Sequence, residues 1–250
     1  MFAEPYTTFL NITAPTYTWL VGFAITLSIG QIVLFTRSRG AALDVCLGAL
    51  VGGIVLARAQ HVALHWAYFQ HNSAEIVQLS AGGLSWHGAV IGGVFGALLL
   101  ARWRKLDTGH LLALSAPLLP LIALGAWWGC RASLCAYGAE VPTLIAYPAW
   151  LVGESADVFG ILAPRFQVQT LGMVASGVLL VFAGVLQWRG WFTHTRFWLL
   201  LALISFVMFW LGFLRGDAMP HLYSLRVDQW LDVLVCGVAL VLMGRQMARS

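Results

Sequence analysis

Seven apolar runs, near residues 16–36, 44–68, 84–103, 110–130, 168–188, 196–214 and 229–245, fill most of this chain and leave it few ways to fold. Each is long enough to cross about 30 Å of hydrocarbon, which takes roughly 20 helical residues. In lipid every backbone N–H and C=O must find a partner inside the protein, so a spanning segment is either a helix or a strand of a closed barrel. The runs lack the two-residue alternation of barrel strands and therefore predict helices. The expected fold is all-α, a polytopic integral membrane protein with seven transmembrane helices and a single integral domain over residues 1–250. With 60% hydrophobic and 10% charged residues, a water-soluble globular domain is excluded. Residues 1–15 lack the basic residues and small-residue cleavage site of a secretory signal, so the first run is expected to remain as a span.

The basic residues predict the orientation. Arg37 and Arg39 follow the first run, Arg102, Arg104 and Lys105 the third, Arg189 and Arg196 flank the loop after the fifth, and Arg245 and Arg249 close the chain. These nine of the 14 basic residues fall on one face. By the positive-inside rule that face is cytoplasmic, with the amino terminus outside and the carboxyl terminus inside.

The other five arginines break the rule. Arg131, Arg165, Arg215 and Arg226 fall at outer ends of runs or in outer loops, and Arg58 lies within the second run. An arginine at membrane depth is costly and normally faces a bundle interior or a polar cavity, which makes Arg58 a site candidate. It could equally pair with Asp44, Asp228, Asp232 or a backbone carbonyl and only pin helices together. Asp217, Asp228 and Glu140 read as surface or helix-end charges, or as residues that touch the cavity.

In this topology His87, Arg131 and Arg215 share the outer ends of three helices. One histidine with several arginines describes a cationic cavity suited to an anionic headgroup, with phosphate the obvious guest. The stretch Gly82 to Gly93, GGLSWHGAVIGG, surrounds His87 with glycines. Gly82 and Gly83 permit an unusual entry into the helix, while Gly88, Gly92, Gly93 and Gly96 form a small-residue face that a neighbour can approach closely. Packing accounts for the glycines but not for the histidine, although a lone interfacial histidine is often only structural.

The longest outer connection, about 131–167, begins in GCRASLCAYGAEVP and contains Tyr147, Trp150, Glu154 and Asp157. It reads as an outer loop or arm lying on the membrane with Tyr147 and Trp150 at headgroup depth, or as a plain connector. Of the four cysteines, Cys46, Cys130, Cys135 and Cys236, none forms a Cys-x-x-Cys pair. Cys130 and Cys135 are spaced to bridge in an oxidising compartment or to pack as free thiols.

Taken in order, ALDVCLGALVGGIVLARAQHVAL, GGLSWHGAVIGG, GCRASLCAYG, APRFQVQTLG, GFLRGDA and RVDQWLDV resemble the bacterial prolipoprotein diacylglyceryl transferase family from about Asp44 to Val233. The resemblance implies seven spans with an outward amino terminus, and a place in the bacterial cytoplasmic (inner) membrane. The family's second-span arginine falls on Arg58, its histidine on His87 with Gly88 beside it, and its late essential arginine on Arg215. Gln229 and Trp230 match its closing Gln-Trp-Leu. In the fourth-span signature the arginine is Arg131, but Ser133 and Leu134 stand where the family has glycine and Asn or Cys. A second alignment uses Cys135 to Gly138 as the tail. The family's His-Pro-(Ser or Thr)-Gln-Leu-Tyr-Glu is reduced to FQVQTLG, which keeps Gln169 with Arg165 just before it.

What the resemblance implies chemically is transfer of a diacylglyceryl group from phosphatidylglycerol to the lipobox cysteine of a preprolipoprotein. The thiol must lose its proton and the departing phosphate must be stabilised. His87, Arg131 and Arg215 are the expected catalytic residues, with Arg58, Gly88, Gly138, Arg165 and Gln169 binding substrate. Expected partners are phosphatidylglycerol, preprolipoprotein signal peptides and membrane lipids; no metal, cofactor or nucleic acid is expected. The missing polar residues support an alternative, an inactive diverged member that serves as a lipid-binding subunit with a membrane-complex partner. A transporter would show paired halves, which are not evident. A haem site is disfavoured because His61 and His65 lie one turn apart on one helix. A retinal site lacks its lysine, since the only one, Lys105, falls in a cytoplasmic loop.

Overall fold

In the computed structural model, residues 6–9, 12–79 and 82–248 are described. Arg249, counted above among the inward-facing cations, lies outside them. The chain divides into two compact units, Met1–Ser28 with Ser115–Ser250, and Ile29–Leu114.

Along the chain, the hairpin β1 (Tyr6–Phe9) and β2 (Ile12–Pro15) precedes α1 (Thr16–Phe35) and α2 (Arg39–Leu64). The short α3 (Trp66–Phe69) and a 3-10 turn (Ser73–Val77) lead to α4 (Trp86–Trp103), α5 (Thr108–Ser115) and α6 (Leu118–Ser133). A second hairpin, β3 (Val152–Ala156) with β4 (Leu162–Phe166), is followed by α7 (Val168–Arg189) and α8 (Arg196–Gly212). The small β5 (His221–Leu222) and β6 (Leu225–Arg226) then introduce α9 (Val227–Met247).

The fold is that of a multi-pass helical membrane protein. Among the described residues α1, α2, α7 and α9 are long and apolar enough to span, and α5 with α6 make a fifth candidate bent by 40°. The bend falls at Ala116–Pro117, where proline removes a helix donor and crowds the preceding turn. The apolar α8, with 17 residues, is shorter. Three two-stranded antiparallel hairpins depart from a purely helical chain.

In the unit Ile29–Leu114, α2 packs along α4 through glycines spaced one turn apart. A Cβ on Gly88, Gly92 or Gly96 would collide with the backbone carbonyl of Leu56, Gly52 or Gly48, so the two helices touch main chain to main chain. Lower down, Val45, Ala101 and Leu111 form a small core with Ile32, Ala97, Leu100 and Leu106 around it. Asp44 pairs with Arg104.

In the other unit α6 packs on α7, and α8 on both α7 and α9. Gly172 of α7 lies against the indole of Trp127, leaving no room for a side chain there. Trp127, Val168 and Leu211 centre a core that also takes in Phe166, Leu171 and Met208. Residues 134–167 are folded rather than a plain connector. Strands β3 and β4 pair from Val152↔Phe166 to Ala156↔Leu162, and Glu140 bridges Arg165. Ala139 donates to the carbonyl of Leu214 at 2.8 Å, and Gly216 to that of Tyr137 at 2.9 Å. The arm is thereby fastened to the segment that follows α8.

Candidate functional site

The end of α6 begins the site. Leu134 caps the helix with φ 59°, and a disulfide joins Cys130 to Cys135, which decides between the bridged and free readings of these thiols. The reversal hands the chain to Tyr137 and Gly138, and Gly138 pairs with Arg215 as an isolated antiparallel bridge. A Cβ on Gly138 would collide with the carbonyl of Phe166, so this glycine is required by close strand approach. Gln169, buried at the start of α7, donates its amide to the carbonyl of Cys135 at 2.7 Å. The Gln169 bond thus ties the turn after α6 to the start of α7, and the disulfide braces the turn itself.

Arg131 sits between these ties. It is exposed and donates to Thr170 Oγ1 at 3.3 Å. The other arginines of this unit's site are committed to carboxylates. Arg165 is buried, ion-paired to Asp157 at 3.1 Å and to Glu140 at 3.6 Å, with its guanidinium over the Tyr137 ring. Arg215 Nε donates to Asp217 at 2.8 Å, and its Nη1 lies 3.2 Å from Asp228. Arg226 is buried, 3.0 Å from Asp228 and 3.2 Å from Asp217.

Asp228 is indeed a helix-end charge, in the first turn of α9, and Glu140 a surface charge, 63% exposed, but with Asp217 each of them also pairs with an arginine. The buried guanidinium groups of Arg165 and Arg226, and the largely buried one of Arg215, leave water at tolerable cost only in company with carboxylates, here Asp157, Asp217 and Asp228. A legible signal was present: Arg215/Asp217 and Arg226/Asp228 each follow an Arg-x-Asp spacing. Burial opposes the charge on Asp217, but hydrogen bonding to Arg215 and the charges of Arg215 and Arg226 prevail and hold its carboxyl below the usual value. Burial likewise opposes the Arg215 charge, and Asp217, Asp228 and Asp232 prevail to raise its pKa. Gln229 completes the cluster by accepting from the Arg226 backbone N–H at 3.0 Å and donating to Phe209 O at 3.0 Å. A cleft of about 430 Å³ opens here, lined by Phe213, Arg215, Asp217, His221, Arg226 and Gln229 among others.

In the unit Ile29–Leu114, His87 lies in the first turn of α4, 2% exposed, its ring 4.2 Å from that of Trp86. Gly82 and Gly83, at φ 76° and 74°, make the entry into that helix left-handed. A Cβ on Gly83 would press on His61 and on Arg58 Nη1. Arg58 is buried and spends its donors on main-chain carbonyls, those of Ile76 at 2.8 Å, Gly82 at 2.7 Å, Gly83 at 3.2 Å and Glu75. Phe69 covers its guanidinium at 5.2 Å. Arg58 thus satisfies and fixes the loop before His87, pairing with carbonyls rather than with Asp44, Asp228 or Asp232. Gly88 faces the backbone of α2, where its lack of a side chain serves helix contact. Among the described residues no group of three His, Cys, Asp or Glu is placed to hold a metal ion.

The family model described as Prolipoprotein diacylglyceryl transferase matches residues 8–245 of this chain. Curated relatives carry the name phosphatidylglycerol–prolipoprotein diacylglyceryl transferase. One from Streptococcus pneumoniae (strain JJA) is 28% identical over 208 residues, covering 80% of this chain and 76% of the relative. One from Finegoldia magna is 26% identical over 226 residues, covering 88% and 85%. A third, from Lactococcus lactis subsp. lactis, is 28% identical over 200 residues, covering 80% and 76%.

Proposed function

This chain belongs to the prolipoprotein diacylglyceryl transferase family, and on that premise we propose that it is a working transferase that moves diacylglyceryl from phosphatidylglycerol to the lipobox cysteine of a preprolipoprotein. The thiolate sulfur attacks the glyceryl carbon, a C–S thioether bond forms, and the C–O bond to phosphate breaks with its electron pair leaving on glycerol phosphate. The thiol proton passes to the base and from there to bulk solvent or product.

The observation that carries this reading is Arg131. Its guanidinium is exposed at the end of α6, where Thr170 is a neutral partner, and so has donors and charge to offer a phosphate. Arg215, already paired with Asp217, lines the cleft and would bring its donors to an anion that displaces that carboxylate. His87 is the side chain whose type suits acceptance of the thiol proton. Arg58 with Gly88, and Gln169 with Arg165 and Gly138, position the segments that carry these groups. The intact histidine stretch and the arginines placed at helix ends favour turnover over an idle scaffold, which would have little reason to hold buried charge.

In this reading the whole chain is one integral domain in the bacterial inner membrane, with seven spans, the amino terminus outside and the carboxyl terminus in the cytoplasm. The basic residues near the ends of spans support that orientation. So does the Cys130–Cys135 disulfide, because such bonds persist in oxidising compartments. The deciding experiment supplies purified protein with labelled phosphatidylglycerol and a lipobox peptide. Thioether product is expected from the wild type, none from His87→Ala, and far less from Arg131→Ala. A wild type that makes none removes the enzyme reading and leaves the lipid-binding subunit.

A further inference from the structure

The arm between α6 and α7 ends in an apolar tip. Val158, Phe159, Ile161 and Leu162 are 51%, 70%, 59% and 73% exposed. From Val158 to Pro164 the sequence VFGILAP carries no polar or charged side chain. Water-facing hairpin loops normally use polar turn residues and leave their amides to solvent.

This tip instead satisfies three of its own amides, those of Phe159, Gly160 and Ile161. Asp157 Oδ1 accepts from the N–H groups of Phe159 at 2.9 Å and Ile161 at 3.0 Å. Gly160 donates to the Asp157 carbonyl at 2.9 Å, and Asp157 donates to that of Ile161 at 3.2 Å. The one charge in this arrangement, Asp157, is itself buried and neutralised by Arg165 behind the turn. Internal satisfaction of amides and absence of exposed charge are what hydrocarbon demands of a segment that enters it.

The attachment of the arm keeps that tip near the ends of helices read as membrane spans. The arm leaves at the end of α6, returns at the start of α7, and is bonded at its base to Leu214 and Gly216 just beyond α8. Three helix ends thus hold it at one end of the unit, the end that meets the bilayer surface where α6 and α7 span. A five-residue strand reaches only about 17 Å, so the tip stays near that surface. Trp150, also exposed in the arm, is a residue type that favours the headgroup layer.

We propose that the β3–β4 tip, Val158 to Leu162, is a membrane anchor that inserts its four apolar side chains among the acyl chains of the leaflet from which the arm emerges. It fixes the arm at the lipid surface, whichever donor and acceptor the protein uses.

The test uses full-length protein in nanodiscs that contain phosphatidylglycerol. Phe159→Cys in a Cys46→Ala, Cys236→Ala background is labelled with an environment-sensitive fluorophore, and Glu154→Cys serves as the comparison probe. At Phe159 the expected result is blue-shifted emission that loses intensity when the lipids carry acyl-chain spin labels, with little loss at Glu154. Water-like, unquenched emission at Phe159 overturns the proposal. So does shielding that develops only after a lipobox peptide or more protein is added, which makes the tip a protein-docking surface. Serine at all four positions, in a variant whose thermal midpoint in detergent is unchanged, is expected to expose the arm to protease in bilayers. Equal cleavage of wild type and variant counts against the anchor.

Discussion

Arg131 meets Thr170 across 3.3 Å where α6 ends and α7 begins, and among the described residues it has no carboxylate partner. Arg165, Arg215 and Arg226 by contrast each face an aspartate. Arg131 is therefore the guanidinium in this cluster that can meet an incoming anion without first losing a partner.

Arg131→Ala is expected to lower kcat/KM for diacylglyceryl transfer by about 100-fold, a size typical of removing a preorganised donor to developing charge. Arg131→Lys should recover part of it, since charge is kept and the planar fork is lost. Thr170→Val should cost little. A steady-state assay with labelled lipid checks the order, and a Thr170 variant as damaged as Arg131→Ala would remove the direct role of the arginine.

Reduction of the Cys130–Cys135 bond should destabilise the α6–α7 junction. A loop this short contributes about 2 kcal/mol through the unfolded state. Thermal unfolding with and without reductant should show a lower midpoint on reduction, and the Cys130→Ser, Cys135→Ser pair should be insensitive to reductant. Gln169→Ala should add to the loss, because it removes the second tie to Cys135.

Gly92→Ala places a methyl against the carbonyl of Gly52, which is backbone and cannot swing away. Overpacking of that kind costs about 1–3 kcal/mol or more. Gly22→Ala on α1, where nothing lies within 4 Å, should be neutral or mildly stabilising. Detergent-solubilised thermal midpoints of the two variants make the comparison.

Acid should weaken the Arg215–Asp217–Arg226–Asp228 cluster. The Asp217 carboxyl is held below its ordinary 3.8, so its contribution is complete above that value and is lost as pH falls through the lower folded value. Stability followed from pH 6 to acid should thus drop less steeply in Asp217→Asn than in wild type, and the variant should already be weaker at pH 6. Identical acid profiles would show that Asp217 does not link folding to protons.

The helical membrane character and the small-residue stripe around His87 were legible in the sequence, because both depend on local sums. The free energy of placing a run in lipid adds residue by residue, and glycines one turn apart present one helix face whatever lies opposite. The motifs also pointed to Arg131, Arg215, Gln169 and His87. Their partners were not legible. Arg58 could have met any of several aspartates and met the carbonyls of Glu75, Ile76, Gly82 and Gly83 instead. Residues 134–167 could have been a bare connector and proved to be a folded arm around Asp157 and Arg165.

The sequence by itself determined that the chain is greasy, helical and supplied with more cations than its loops need. Only the tertiary structure decided which of those cations are neutralised and which remains open, since pairing depends on the distance between side chains such as Arg131 and Thr170, which are 39 positions apart. Charge type is a property of the residue, while its availability is set by what folding brings within a few ångströms.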